Sequence, residues 1–139
     1  MATTLDPLGP LVSNTKRSSY GTPFSQWVRN EPGLDSQTYK LSATNIDFLW
    51  EGPNDKGYWM LIEEKQHGAK VKEWQLIAFR KLHRVIKDET HYKGFHILQF
   101  ENTAPSDGRT WLDGQEVPKV QVIIFLRFEK FYPTTFLQR

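Results

Sequence analysis

Between Tyr58 and Gly68 the chain reads YWMLIEEKQHG, five apolar or aromatic residues followed at once by Glu63, Glu64 and Lys65. A short continuous apolar run of this kind reads as a strand inside a sheet rather than at its rim. Its charged end then constrains the fold. A strand that needs apolar cover on both sides delivers three ionisable groups to the edge of the core, where each must be solvated, paired or put to use. Along a strand, residues i and i+2 share a face roughly 6.5 to 7 Å apart, so Glu63 and Lys65 project together and Glu64 points away.

The flanking sequence supplies partners for that strand. Upstream, NIDFLW alternates, with Ile46, Phe48 and Trp50 on one face and Asp47 and Leu49 on the other. GPNDKG between them has the composition of a hairpin loop, so the two strands are expected to pair antiparallel. From about Lys70 to Ile86 the spacing turns helical, and Val71, Trp74, Ala78, Leu82 and Val85 form an apolar stripe. GFHILQFE then reads as a strand covered on both faces, and TWLDGQEV as a hairpin about its Asp-Gly. The tail VQVIIFLRFEKFYPTTF fits either type: its β-branched residues favour a strand, whereas the spacing of Ile124, Arg127/Phe128 and Phe131 fits a helix.

At the other end, Thr22 before Pro23 is a good helix start, and the helix PFSQWVRNE must stop before Pro32. Residues 1–21, rich in Thr, Ser, Pro and Gly without periodicity, read as a flexible arm, leaving 22–139 as a single domain. Trp27, Trp50, Trp59 and Trp74 are expected mostly in the core. The pattern as a whole is α/β, a mixed sheet flanked by helices.

Composition narrows the chemistry. The 139 residues contain no cysteine, so any metal must sit on oxygen or imidazole. His67, His83 and His91 lack the spacing of a zinc site and read as surface residues. No run approaches the roughly 20 apolar residues of a membrane helix, and no secretory leader pattern is present, which makes a cytoplasmic protein without membrane contact the expectation. The net charge of +2 is small but unevenly spread. Between Lys65 and Lys93 eight basic residues face three acidic ones. Lys70, Lys72, Arg80, Lys81 and Arg84 read either as the solvated face of a helix or as a surface that tracks phosphates. Arg109 and Trp111, beside the Asp-Gly turn, are placed to reach a substrate.

If the hairpin sets Asp47 beside Glu63, two carboxylates meet at the end of an apolar sheet, with a repulsion of roughly 3 to 4 kcal/mol at an effective dielectric near 20. Lys65 offsets part of that, and a hard divalent cation suits the remainder. The plain alternative is a strand-edge Glu63–Lys65 pair worth about 0 to 1 kcal/mol. Gln75, ten residues past Lys65, reads equally as a polar residue at the edge of the helix stripe or as part of a site.

Asp47 followed by Glu63-Glu64-Lys65 on adjacent strands, and then Gln75 in Q-L-I-A-F on the next helix, resembles the PD-(D/E)XK nuclease superfamily, near its VRR-NUC or exonuclease-like branches. The proline-aspartate half of that pattern is represented here by Ile46-Asp47. The resemblance covers roughly residues 23–101 and implies a restriction-endonuclease-like mixed sheet. It implies a Mg²⁺- or Mn²⁺-dependent DNA nuclease in which Asp47, Glu63 and the Glu64 carbonyl hold the metal, Lys65 acts on water or phosphate, and Gln75 orients. Glu31, the acid of the first helix segment, would be an additional ligand. DNA is the implied partner, and a homodimer that cuts both strands fits the family. A catalytically inactive nucleic-acid-binding or scaffold domain of the same fold is the alternative.

Overall fold

The computed structural model describes residues 22–40, 44–52 and 56–134. The expected arm at 1–21 lies outside them. The chain divides between Ser42 and Ala43 into two compact units.

The first unit carries α1 (Pro23–Asn30), a single 3₁₀ turn (Pro32–Leu34) and the short α2 (Ser36–Tyr39). Pro23 opens α1 at the position where its missing N–H costs nothing, and the Gln26 N–H donates to the Thr22 carbonyl at 3.0 Å. The helix stops ahead of Pro32, as proline requires. Phe24 and Trp27, three residues apart, stack on one another with ring centroids 6.0 Å apart.

The second unit is a five-stranded mixed sheet in sequential order: β1 (Phe48–Glu51), β2 (Trp59–Lys65), β3 (Tyr92–Phe100), β4 (Thr110–Leu112) and β5 (Gln115–Val117). β1 and β2 pair antiparallel with Phe48 opposite Ile62, as the hairpin composition led one to expect. β2 and β3 run parallel, and the connection a parallel pair needs is α3 (Glu73–Ile86). The β4–β5 hairpin turns on Asp113 and Gly114, both at positive φ (50° and 87°), the requirement that makes Asp-Gly a hairpin signal.

Helices cover both faces. Leu61, Phe95 and Ile97 pack with Phe79 of α3 on one side. Met60, Ile62, Leu98 and Leu112 pack on the other with Val122 and Phe125 of α4 (Lys119–Leu126). The tail is therefore helical over its first part. Its β-branched residues yield because burying Val122 and Phe125, three apart, needs a helical stripe. α4 ends in a Schellman motif, with the Phe128 N–H on the Phe125 carbonyl and the Glu129 N–H on the Ile124 carbonyl, both at 3.1 Å. The left-handed position usually given to glycine is held by Phe128 (φ 57°), whose ring lies against Gly52 and Tyr58.

Opposite β2, β3 carries an extra residue, so that Trp59 faces Tyr92 but Leu61 faces Phe95. Gly94 sits in this bulge at φ 106°, where a Cβ would run into Thr134 Oγ1 and approach His96 Nε2 at 2.8 Å. His96 is fully buried, its Nδ1 2.7 Å from Asp113 Oδ2 and its Nε2 2.9 Å from the Lys93 carbonyl. Asp113 Oδ1 also accepts the Ile97 N–H at 2.8 Å, tying the β4–β5 turn to the middle of β3.

Two expectations are corrected. The buried face of α3 runs through Gln75, Phe79, Leu82 and Ile86, about one residue's rotation from the predicted stripe; Trp74 (48 % exposed) and Val85 (77 %) face outward. The tryptophans are likewise not core: Trp27, Trp50 and Trp74 are exposed, and Trp59 is half-buried beneath α3, with its Nε1 donating to Glu89 at 2.9 Å. An indole carries a donor that must find a partner, which draws it to the rim of a core.

Candidate active site

β2 is interior, flanked by β1 and β3, so its end is reached from both sides. Residues directly opposite in a ladder share a face. The Phe48–Ile62 register therefore puts Asp47, in the bend just before β1, opposite Glu63. The Asp47 N–H points at Glu63 Oε1 over a long 3.4 Å, and Asp47 Oδ2 accepts the Glu64 N–H at 2.9 Å. Asp47 thus serves as the side-chain extension of the β1–β2 ladder, which fixes it against the acid it repels.

Glu63 and Lys65 project on the α3 side, with Lys65 Nζ 3.4 Å from Glu63 Oε2. Lys65 also donates to Gln75 Oε1 at 3.0 Å. That oxygen accepts the Lys72 N–H at 3.2 Å as well, the return half of a capping box at the start of α3. Gln75 accordingly does two jobs: it caps the helix and it holds the ammonium. The structure brings Asp47, Glu63, Lys65 and Gln75 into one connected cluster.

The electrostatics follow from burial. Glu63 is 3 % exposed, and loss of water is the first reason its carboxyl is pushed up to about 7. The charge of Asp47 pushes the same way, and Lys65 only partly opposes both. Glu64 points toward the α4 side and is half-buried; its carboxyl is also raised, by burial first and by Asp47 second.

Lys70 and Lys72 are exposed on the segment entering α3, next to the cluster. Lys81 and Arg84 are exposed further along α3, Arg84 about 13 Å of helix beyond Gln75. Arg80 is half-buried, its Nε enclosed without a hydrogen-bond partner among the described residues. Glu31 belongs to the first unit, where its carbonyl accepts the Leu34 N–H at 3.0 Å. His83 is half-buried with Nδ1 2.8 Å from the Tyr92 hydroxyl, and burial lowers its pKa. His96 and its partner Asp113 were not singled out from the sequence; the histidine sits in an apolar strand, and nothing local points to an acid 17 residues away.

Among the described residues, no three His, Asp or Glu side chains gather as a group able to hold an ion by themselves. The cluster offers two carboxylates, which suits a cation that completes its shell with water and substrate oxygens. No helix of the described residues is long and apolar enough to cross a membrane. Comparison of the chain with protein-family models, with curated proteins and with solved structures finds no match in any of the three.

Proposed function

We propose that the chain is a metal-dependent deoxyribonuclease of the PD-(D/E)XK type, with a restriction-endonuclease-like sheet and a site built on Asp47, Glu63, Lys65 and Gln75. One observation carries the reading: buried Glu63 of β2 and half-buried Asp47, from the bend just before β1, are set against a single ammonium that a helix glutamine holds in place. A protein spends stability on such an arrangement where the charges serve chemistry.

Asp47 and Glu63 fit a hard cation, since burial first and the Asp47 charge second already drive Glu63 toward protonation, and Lys65 only partly opposes them. The Glu64 carbonyl would add a third oxygen. Bound Mg²⁺ or Mn²⁺ supplies a lowered water pKa and a counter-charge for the phosphate. The chain's own contributions are distinct. Lys65 stabilises charge that develops on the phosphoryl oxygens and orients the attacking water, and Gln75 keeps its ammonium on station. Lys70 and Lys72 meet the flanking phosphates, while Lys81 and Arg84 extend the basic track along α3. In-line attack on the phosphodiester leaves 5′-phosphate and 3′-hydroxyl ends.

The test is cleavage. Supercoiled, linear and branched DNA are incubated with Mg²⁺, with Mn²⁺ and with chelator; cutting is expected with metal only. Glu63→Ala and Lys65→Ala are each expected to lower the rate at least a hundredfold while leaving a cooperative melt. A second reading has its own observation. The Lys65–Glu63 pair at 3.4 Å already neutralises one carboxylate, as in a nucleic-acid-binding or scaffold domain of this fold that does not cut. Absence of cleavage with either metal on every one of these DNA substrates leaves that reading standing and removes the first.

A further inference from the structure

The sheet register places a second feature on the face that carries the acids and the lysine. Lys65 lies opposite Gln99, Gln99 opposite Trp111, and Trp111 opposite Glu116. Residues opposite one another in a ladder project to the same side. Lys65, Gln99, Trp111 and Glu116 therefore form one row across four strands, with Trp111 two strand spacings, about 10 Å, from Lys65.

α3 packs over β2 and β3, and its core residues reach no further along the sheet than Ile97 and Phe95. Trp111 is half-buried on that face. The Arg109 guanidinium lies over the indole, 5.0 Å from the ring centroid, and Arg109 is 60 % exposed. Glu116 stands 3.9 Å from Arg109 Nε, close enough to bias the guanidinium toward the ring and too far for a hydrogen bond. Between the two ends of the row, the Gln99 amide donates to the Ala69 carbonyl at 3.1 Å, which brings the chain leading to exposed Lys70 alongside.

We propose that Trp111 and Arg109 form a stacking platform for single-stranded DNA, which it passes along the row to the Asp47–Glu63–Lys65 cluster. The guanidinium that lies over the indole extends the stack, so that a base adds its flat face to the Trp111–Arg109 pair while the cation meets the adjoining phosphate. In duplex DNA the bases stack on their neighbours and present no free face, so the platform selects unpaired strands. The inference rests on the nuclease reading for what the strand is brought to, but its test does not depend on cutting.

Binding of a fluorescently labelled 15-nucleotide single strand of mixed sequence is measured by anisotropy with chelator present, so that cleavage plays no part. Trp111→Ala is expected to weaken binding at least about fivefold, the lower end for loss of one stacked base. Trp111→Phe is expected to retain most of the affinity, and Trp111→Leu, which keeps apolar bulk against the sheet, to behave like alanine. Arg109→Ala is expected to weaken binding and to flatten its salt dependence. Wild-type affinity for the matching duplex should be lower than for the single strand. The platform is overturned if wild type does not bind single strands, if Trp111→Leu binds like wild type, or if Trp111→Phe loses as much as leucine. A chain that binds as described yet cuts nothing with Mn²⁺ keeps the platform and loses the nuclease reading.

Discussion

Glu63 is the residue on which the site's chemistry and its stability cost coincide. Its carboxyl is raised from 4.5 to about 7, so between those values the folded chain holds a proton that the unfolded chain has released. The Glu63 contribution to stability is then greatest below about pH 4.5 and declines as pH rises to about 7, beyond which it stays at its lower level. Glu63→Gln keeps the shape of the protonated side chain without the charge. It is expected to leave the melting temperature unchanged near pH 4.5 and to raise stability by about 1 to 2 kcal/mol at pH 8. Thermal melts of both proteins across that range check the sign, and a variant less stable than wild type at pH 8 would refute it. Gly94 poses a steric counterpart. Its φ of 106° and its crowding by Thr134 and His96 leave no room for a methyl group, so Gly94→Ala is expected to cost about 2 to 4 kcal/mol in urea unfolding.

Among the elements, α3 sorts its residues by face. Phe79, 1 % exposed and 4.5 Å from the Phe95 ring, anchors it to the sheet, and Phe79→Ala is expected to cost about 3 to 5 kcal/mol. Val85→Lys on the outer face should change stability by no more than about 0.5 kcal/mol. Denaturant titration of the two variants separates the observed face from the one read off the sequence, which put Val85 on the apolar stripe. The error has a physical origin. The helix carries apolar residues on two adjacent stripes, and the stripe that is buried is the one bearing Gln75, whose polar amide is satisfied by Lys65 and the Lys72 N–H. A polar side chain serving a site masks the face it lies on. The strands were more legible: NIDFLW with YWMLIEEK, and TWLDGQEV, announce their pairings through turn residues alone. Local sequence carried Asp47, Glu63, Lys65 and Gln75 to one cluster because each lies within one hairpin or one crossover of the next. His96 with Asp113 escaped because their meeting depends on the β3–β4 register. The tail escaped because its composition serves both structures.

For the molecule as a whole, the described residues of both hydrophobic clusters lie between Ile46 and Tyr132. A chain beginning at Ala43 retains all of these. It is expected to unfold in a single cooperative transition, with a midpoint within a few degrees of the full chain, measured by calorimetry. Lys70, Lys72, Lys81 and Arg84 stand exposed on and before α3. On the proposed nuclease reading, nucleic acid approaches along that helix and meets the Asp47–Glu63 pair last.

That meeting depends on β1, an edge strand and a short one, paired on one side only among the described residues. Sheet margins of four residues open more readily than the centre. Each opening takes Asp47 away from Glu63, and a slip of one residue would turn the aspartate to the opposite surface. On the proposed nuclease reading, the on-state would be written into the zipping of a hairpin: whatever grips that margin, substrate included, would be completing the machine as it binds.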